Sequence, residues 1–144
     1  VVADRVAGED GTAAPAALPA ACARPCRVAT LLSAGHVVLT AAEKAELAKR
    51  GAAAVEMEAL AVGLRARQWG VPFHAVKAVT DTAGEDLLLD LNAARRRDGS
   101  LSTARILAAA ARHPLRLTPG LVTLYHRSHL AARSLGEFLA DCRF

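Results

Sequence analysis

Aromatic side chains are scarce: three Phe, one Trp and one Tyr among 144 residues. So few flat rings give no platform on which single-stranded bases could stack. The net charge of +4 comes from arginines scattered over expected helices and from the short run Arg95-Arg96-Arg97, and it does not read as a nucleic-acid surface. Long apolar runs are missing as well. The uncharged stretch at residues 11–23 is rich in alanine rather than leucine and is broken by Pro15 and Pro19, so no integral membrane segment is expected. No basic-then-apolar leader opens the sequence. Cys22 and Cys26 in a Pro-rich loop and Cys142 near the end make an odd number of cysteines, which fits the reduced thiols of a cytoplasmic protein better than a disulfide framework. No internal repeat is present. A metal site is not expected either: His126 with His129, and Cys22 with Cys26, lack a third ligand at helical spacing, and His36, His74 and His113 form no constellation.

What is present suffices for one core. A hydrophobic content of 53% over this length predicts a single domain. Val1-Val2-Ala3-Asp4-Arg5-Val6 reads as a strand with no preceding turn and no initiator methionine, so the expectation is a domain truncated at its N-terminus. Residues 8–25 are low-complexity Ala, Pro and Gly and predict a long loop, and residues 27–33 predict a buried strand. Thr40 and Glu43 form a capping-box pattern at the start of a helix that Gly51 ends. Ala59, Leu60, Val62 and Leu64 mark the next helix, closed by Gly70 before Val71-Pro72 opens an extended segment. That segment predicts a strand reaching Asp81, with Val76, Ala78 and Thr80 on one face and Ala75, Lys77, Val79 and Asp81 on the other. Polar residues 82–100 precede an Ala-rich helix at 102–112, stopped by Pro114. A last helix is predicted from Thr118, with Pro119 in its first turn and Leu121, Leu124, Tyr125, Leu135, Phe138 and Leu139 on one stripe. Helix followed by strand makes the fold class α/β.

Two carboxylates stand out, Glu58 at a helix start and Asp81 at a strand exit. In α/β sheets ligands sit outside the carboxyl ends of strands, so both are expected to face one crevice. A glutamate there accepts hydrogen bonds from vicinal hydroxyls, Met57 offers an apolar face to a sugar ring, and a protonated aspartic acid serves as general acid to a leaving group. Each residue also has a plainer explanation. Glu56 and Glu58 suit the positive end of a helix dipole, Asp81 suits a cap, and Met57 suits a core.

Taken together, Val55-Glu56-Met57-Glu58-Ala59, Gly70-Val71-Pro72-Phe73 and Thr80-Asp81 resemble the signature half of the purine nucleoside phosphorylase and nucleosidase superfamily, over roughly residues 27 to 92. The resemblance implies the C-terminal part of a three-layer αβα fold with a mixed central sheet, followed by C-terminal helices. It implies ribose contacts for Met57 and Glu58 and a general-acid role for Asp81 at the purine N7, with Thr80 where the family usually has Ser and Lys77 for a usual Arg. Residues 33–38 are similar to the family's Ser-Gly-Asp-x-Phe segment, which makes Val37 a purine contact, although Gly35 and Val37 replace the acidic and aromatic positions. Thr40-Ala-Ala-Glu43-Lys44, the Gly51 to Glu58 segment and the Arg-rich tail look like the hopanoid-biosynthesis-associated branch, whose members release adenine from adenosylhopane. The implied partner is a small purine nucleoside, the implied full-length state a homo-oligomer, and no cofactor is implied beyond phosphate as a co-substrate. Family groups that bind phosphate or activate water lie in an N-terminal half outside this sequence, so weak activity of the chain alone is expected. A non-catalytic nucleoside-binding remnant is the alternative. Leu101, Ile106, Leu107, Leu115, Leu117, Leu121 and Leu124 with interspersed Arg are expected to pack in the core, contact with a membrane surface being the lesser reading.

Overall fold

The structure is a computed structural model that describes residues 1–96 and 99–144; Arg97 of the basic run and the side chain of Arg116 lie outside the described residues. Strand β1 (Val2–Gly8) turns back through Gly11, at φ 86°, into the antiparallel β2 (Ala13–Pro15). After the short β3 (Ala21–Cys22), strand β4 (Val28–Ser33) lies parallel to β1. Helix α1 (Ala41–Lys49) then crosses to β5 (Ala54–Glu56), which is parallel to β4, and the sheet order is β2-β1-β4-β5. Helices α2 (Ala59–Trp69), α3 (Leu91–Ala94), α4 (Thr103–Arg112) and α5 (Pro114–Ala140) follow, and β6 (Cys142–Arg143) pairs with β3.

Alternation along β4 builds the layers. Leu31 points into a cluster with Ala3, Val6, Ala75 and Ala59 of α2, while Leu32 points to the other face and packs with Ala34, Val38 and Leu47 of α1. A mixed sheet covered by one helix on each face is the αβα arrangement of the expected fold. Local signals in the sequence explain both helices. Thr40 Oγ1 accepts from Glu43 N at 3.2 Å to cap α1, and Gly70 ends α2 in the left-handed conformation at φ 66°. Gly63, buried on α2, meets a different demand: a Cβ there would stand 2.8 Å from the Phe73 ring and 3.1 Å from Ala14. Gly63→Val is therefore expected to destabilise the fold by about 2 kcal/mol, the usual range for overpacking, as a lowered urea midpoint. An unchanged midpoint would mean that helix and sheet are not in contact there.

Four expectations need correction. Residues 8–25 are not all loop, because they contain β2 and β3. The strand expected to reach Asp81 pairs only through the bridge of Val2 with Val76, where Ala3 N donates to Ala75 O at 2.8 Å and Lys77 N to Val1 O at 2.9 Å. Residues 78–81 pair with no strand among the described residues. Helix α5 begins at Pro114, four residues before Thr118, since proline suits a first helical position; Pro119 lies inside it. Its buried stripe includes Leu117 and Phe138, but Tyr125 is 63% and Leu139 41% exposed. Finally, Cys22 and Cys142 form a disulfide, brought together by the β3–β6 pairing across 120 residues, which leaves Cys26 free and exposed. The expectation of reduced thiols fails, and with it the argument from thiols for a cytoplasmic setting.

Candidate active site

The parallel strands β4 and β5 end side by side, with Ser33 opposite Glu56. Along the whole of β5, from Ala52 to the carboxyl end at Glu56 and Met57, runs a cavity of about 570 Å³, within the size of small-molecule sites. It is lined by residues 36–38, Lys44 and Ala48 of α1, residues 52–57 around β5 and residues 77–83, with Arg27 and Leu87.

Glu56 is the polar anchor of its wall. Its side chain, 7% exposed, accepts the Ser33 hydroxyl on Oε1, and its Oε2 accepts Glu58 N at 2.9 Å and Ala59 N at 2.7 Å. Lys77 Nζ stands 3.2 Å from the same oxygen. Burial alone would raise the Glu56 carboxyl, but the Ser33 hydroxyl, the two backbone N–H groups and the Lys77 charge together hold it below the usual carboxylate range. Glu56 thus serves the free N–H groups at the start of α2, a role the dipole argument allowed to either glutamate. Glu58 occupies the cap position yet makes no capping bond with its side chain.

Met57, Thr80, Asp81 and Val37 all line the cavity. Glu58 does not: its side chain is 73% exposed, and it reaches the cavity wall only through Lys77 Nζ at 3.4 Å. The expected convergence of Glu58 and Asp81 on one crevice is therefore not seen: Asp81 lines the cavity, Glu56 is the second carboxylate inside, and Glu58 stays at the rim.

Asp81 is engaged on both oxygens. Lys44 Nζ donates to Oδ2 at 2.6 Å and the Thr80 hydroxyl to Oδ1 at 3.0 Å. Lys44, with a side chain 10% exposed, also donates to Thr82 O at 3.0 Å and Glu85 O at 2.7 Å, so one ammonium orients the acid and closes the following turn. In the sequence Lys44 stands only within a branch motif, with no role of its own. Its signal was its place one residue after the Thr40–Glu43 cap, which fixes the side of α1 on which it lies. His36, expected to join no constellation, pairs Nε2 with Glu43 Oε1 at 2.5 Å on the cavity wall. Val37 is held by its backbone: its N donates to Asn92 Oδ1 and its O accepts from Asn92 Nδ2, both at 2.8 Å. Asn92 supplies in one amide what a neighbouring strand would supply in two peptide groups.

The turn after Asp81 is tied to α5 by a bidentate contact from Arg127 to Glu85, at 2.7 and 2.9 Å. The Arg127 hydrogen bonds, aided by Thr82, pull the Glu85 carboxyl from 4.5 down to about 2. A folded-state value below the unfolded one makes the contact's contribution complete above about pH 4.5 and lost as the pH falls toward 2. In a carboxyl NMR titration Glu85 should remain ionised at pH 3.5; titration at the ordinary value would show that the contact does not form in solution.

Among the described residues no group of three His, Cys, Asp or Glu could hold a metal ion, and His126 and His129 are exposed beside Tyr125. No helix is long and apolar enough to cross a membrane. No curated protein and no solved structure matches the chain. One family model does match, that of the phosphorylase superfamily, over residues 4–112, from β1 to the end of α4 and so beyond the span of the motifs at both ends. Enzymes of this superfamily are generally nucleoside phosphorylases and nucleosidases, which act on small-molecule nucleosides. With its mixed sheet, its helix on each face and a match over most of its length, the chain belongs to the phosphorylase superfamily.

Proposed function

We propose that the protein cleaves the N-glycosidic bond of a purine nucleoside, with water or phosphate taking the sugar. The observation that carries this reading is the single cavity in which Val37, Met57, Thr80 and Asp81 meet. Asp81 donates a proton to the departing base, so that the base does not leave as an anion. Its Oδ2 faces Lys44, which can only donate, whereas its Oδ1 faces the Thr80 hydroxyl, which rotates to accept as readily as it donates. Oδ1 is therefore the oxygen through which Asp81 passes a proton to the base, and Thr80 turns to accommodate it. Met57 packs on the ribose, Val37 on the purine, and Glu58 closes on the ribose hydroxyls from the rim. The cavity's carboxylate Glu56 opposes the positive charge that develops on the sugar.

Val38, Ala52, Val55, Val79 and Leu87 make part of the lining apolar. That wall supports a nucleoside with an apolar 5′ substituent, the substrate type of the hopanoid-associated branch that releases adenine from adenosylhopane. The test is to incubate the protein with adenosine and with a 5′-alkyl adenosine, with and without phosphate, and to identify the products. Free adenine and a preference for the alkyl derivative are expected, and the sugar product distinguishes phosphorolysis from hydrolysis. Equal handling of both nucleosides would remove the branch assignment. The 73% exposure of Glu58 favours one second reading, a domain that binds nucleosides without cleaving them. Binding without base release would establish it.

A further inference from the structure

The charge of this chain is unevenly placed. Residues 99–136 contain Arg105, Arg112, Arg116, Arg127 and Arg133 with His113, His126 and His129, and not one Asp or Glu. Elsewhere thirteen basic residues face fourteen acidic ones, so the whole positive excess lies in this stretch. The same stretch forms α4 and most of α5, and α4 has no buried residue. Ala104, Leu107, Ala108 and Ala111 follow one another at helical spacing along α4, with Leu107 60% exposed, and Arg105 and Arg112 flank that stripe seven residues apart. Just past the junction, Leu115 is 95% exposed, with Val122, 51% exposed, two turns further along α5. Among the described residues Arg112 makes no ion pair, and the neighbouring His113 is exposed.

We infer that the outer face of α4 and the first turns of α5 rests on an anionic lipid surface. Leu107 and Leu115 enter the boundary between headgroups and acyl chains while Arg105 and Arg112 meet the phosphates, the division of labour of an interfacial helix. The charge pattern argues against a second copy of the chain, since a two-fold contact would set this acid-free face against itself. It also argues against nucleic acid, for which Tyr125 is the only Phe, Trp or Tyr in the stretch and exposed leucines serve no purpose. The inference is independent of the reaction proposed above.

Flotation of the protein with vesicles of phosphatidylcholine, alone or mixed equally with phosphatidylglycerol, tests it. Binding only to the anionic vesicles is expected. The exposed double variant Leu107→Gln/Leu115→Gln should weaken it roughly tenfold and Arg112→Gln about fivefold, with circular dichroism unchanged. Failure to float with anionic vesicles at low salt would overturn the inference. So would binding that the double leucine variant leaves unchanged, which would mark a general polyanion surface, or a dimer in light scattering that this variant dissociates, which would give the face to a second copy.

Discussion

Asp81→Asn is expected to lower the rate of base release by about 10²- to 10⁴-fold, the usual contribution of a general acid, with nucleoside affinity unchanged. The asparagine keeps the shape of the side chain and an oxygen toward Lys44, but it has no acidic proton for the departing base. Lys44→Met should behave differently. It removes the ammonium from Asp81 Oδ2 and Glu85 O and leaves Thr82 O only the Glu85 N–H, so both turnover and affinity should fall as the turn at residues 82–85 loosens. Single-turnover rates and equilibrium titrations of the two variants separate these effects. Undiminished base release by Asp81→Asn would rule out the acid role, and affinity lost in parallel with rate would make Asp81 a binding residue only.

Removing the disulfide should have the largest effect on stability. Cys22 and Cys142 close a loop with a sequence separation of 120, and the chain-entropy treatment of so long a loop gives about 4 to 5 kcal/mol, to be read as an upper value. The Cys22→Ser/Cys142→Ser variant is expected to lose about 3 kcal/mol in urea unfolding. Reductant should destabilise the natural chain to the same extent and leave the variant unaffected. The end of α5 would not come free altogether, because Arg24 bridges to Glu137 at 2.9 Å and Asp141 at 2.6 Å, but exposed pairs of this kind hold little alone. Three titratable thiols in the untreated protein, or equal stability with and without reductant, would contradict this.

Much of the fold could be read from local chemistry. Thr40 with Glu43, Gly51 and Gly70 mark ends of α1 and α2 because caps and left-handed glycines act within a few residues of themselves. What depends on distant partners could not be read. Whether Cys22 meets Cys142 depends on how β3 and β6 pair, and whether residues 78–81 form a strand depends on a neighbour that no pattern within them names. Proline position misled for a related reason: Pro119 looks like a first-turn residue, but Pro114 fills that role and the buried face that includes Leu117 carries the helix onward. In the site, residue types were legible and their division of labour was not. Two glutamates two residues apart suit the start of α2 equally well in sequence, and the Ser33 hydroxyl at the end of β4 decides that Glu56 turns inward. Lys44 stood only in a branch motif, with no role, because a lysine on an amphipathic helix is ordinarily a solvated side chain, and only Asp81 with the turn that follows it gives it three acceptors.

The central claim is that the cavity along β5 is where a purine nucleoside binds. Backbone and methyl NMR shifts recorded during titration with adenosine test it directly, without reference to turnover. Saturable changes centred on Val37, Met57, Thr80 and Asp81 are expected. Changes confined to the groove of Trp69, Phe73 and Phe144 on the far side of α2, or none at all, would contradict it.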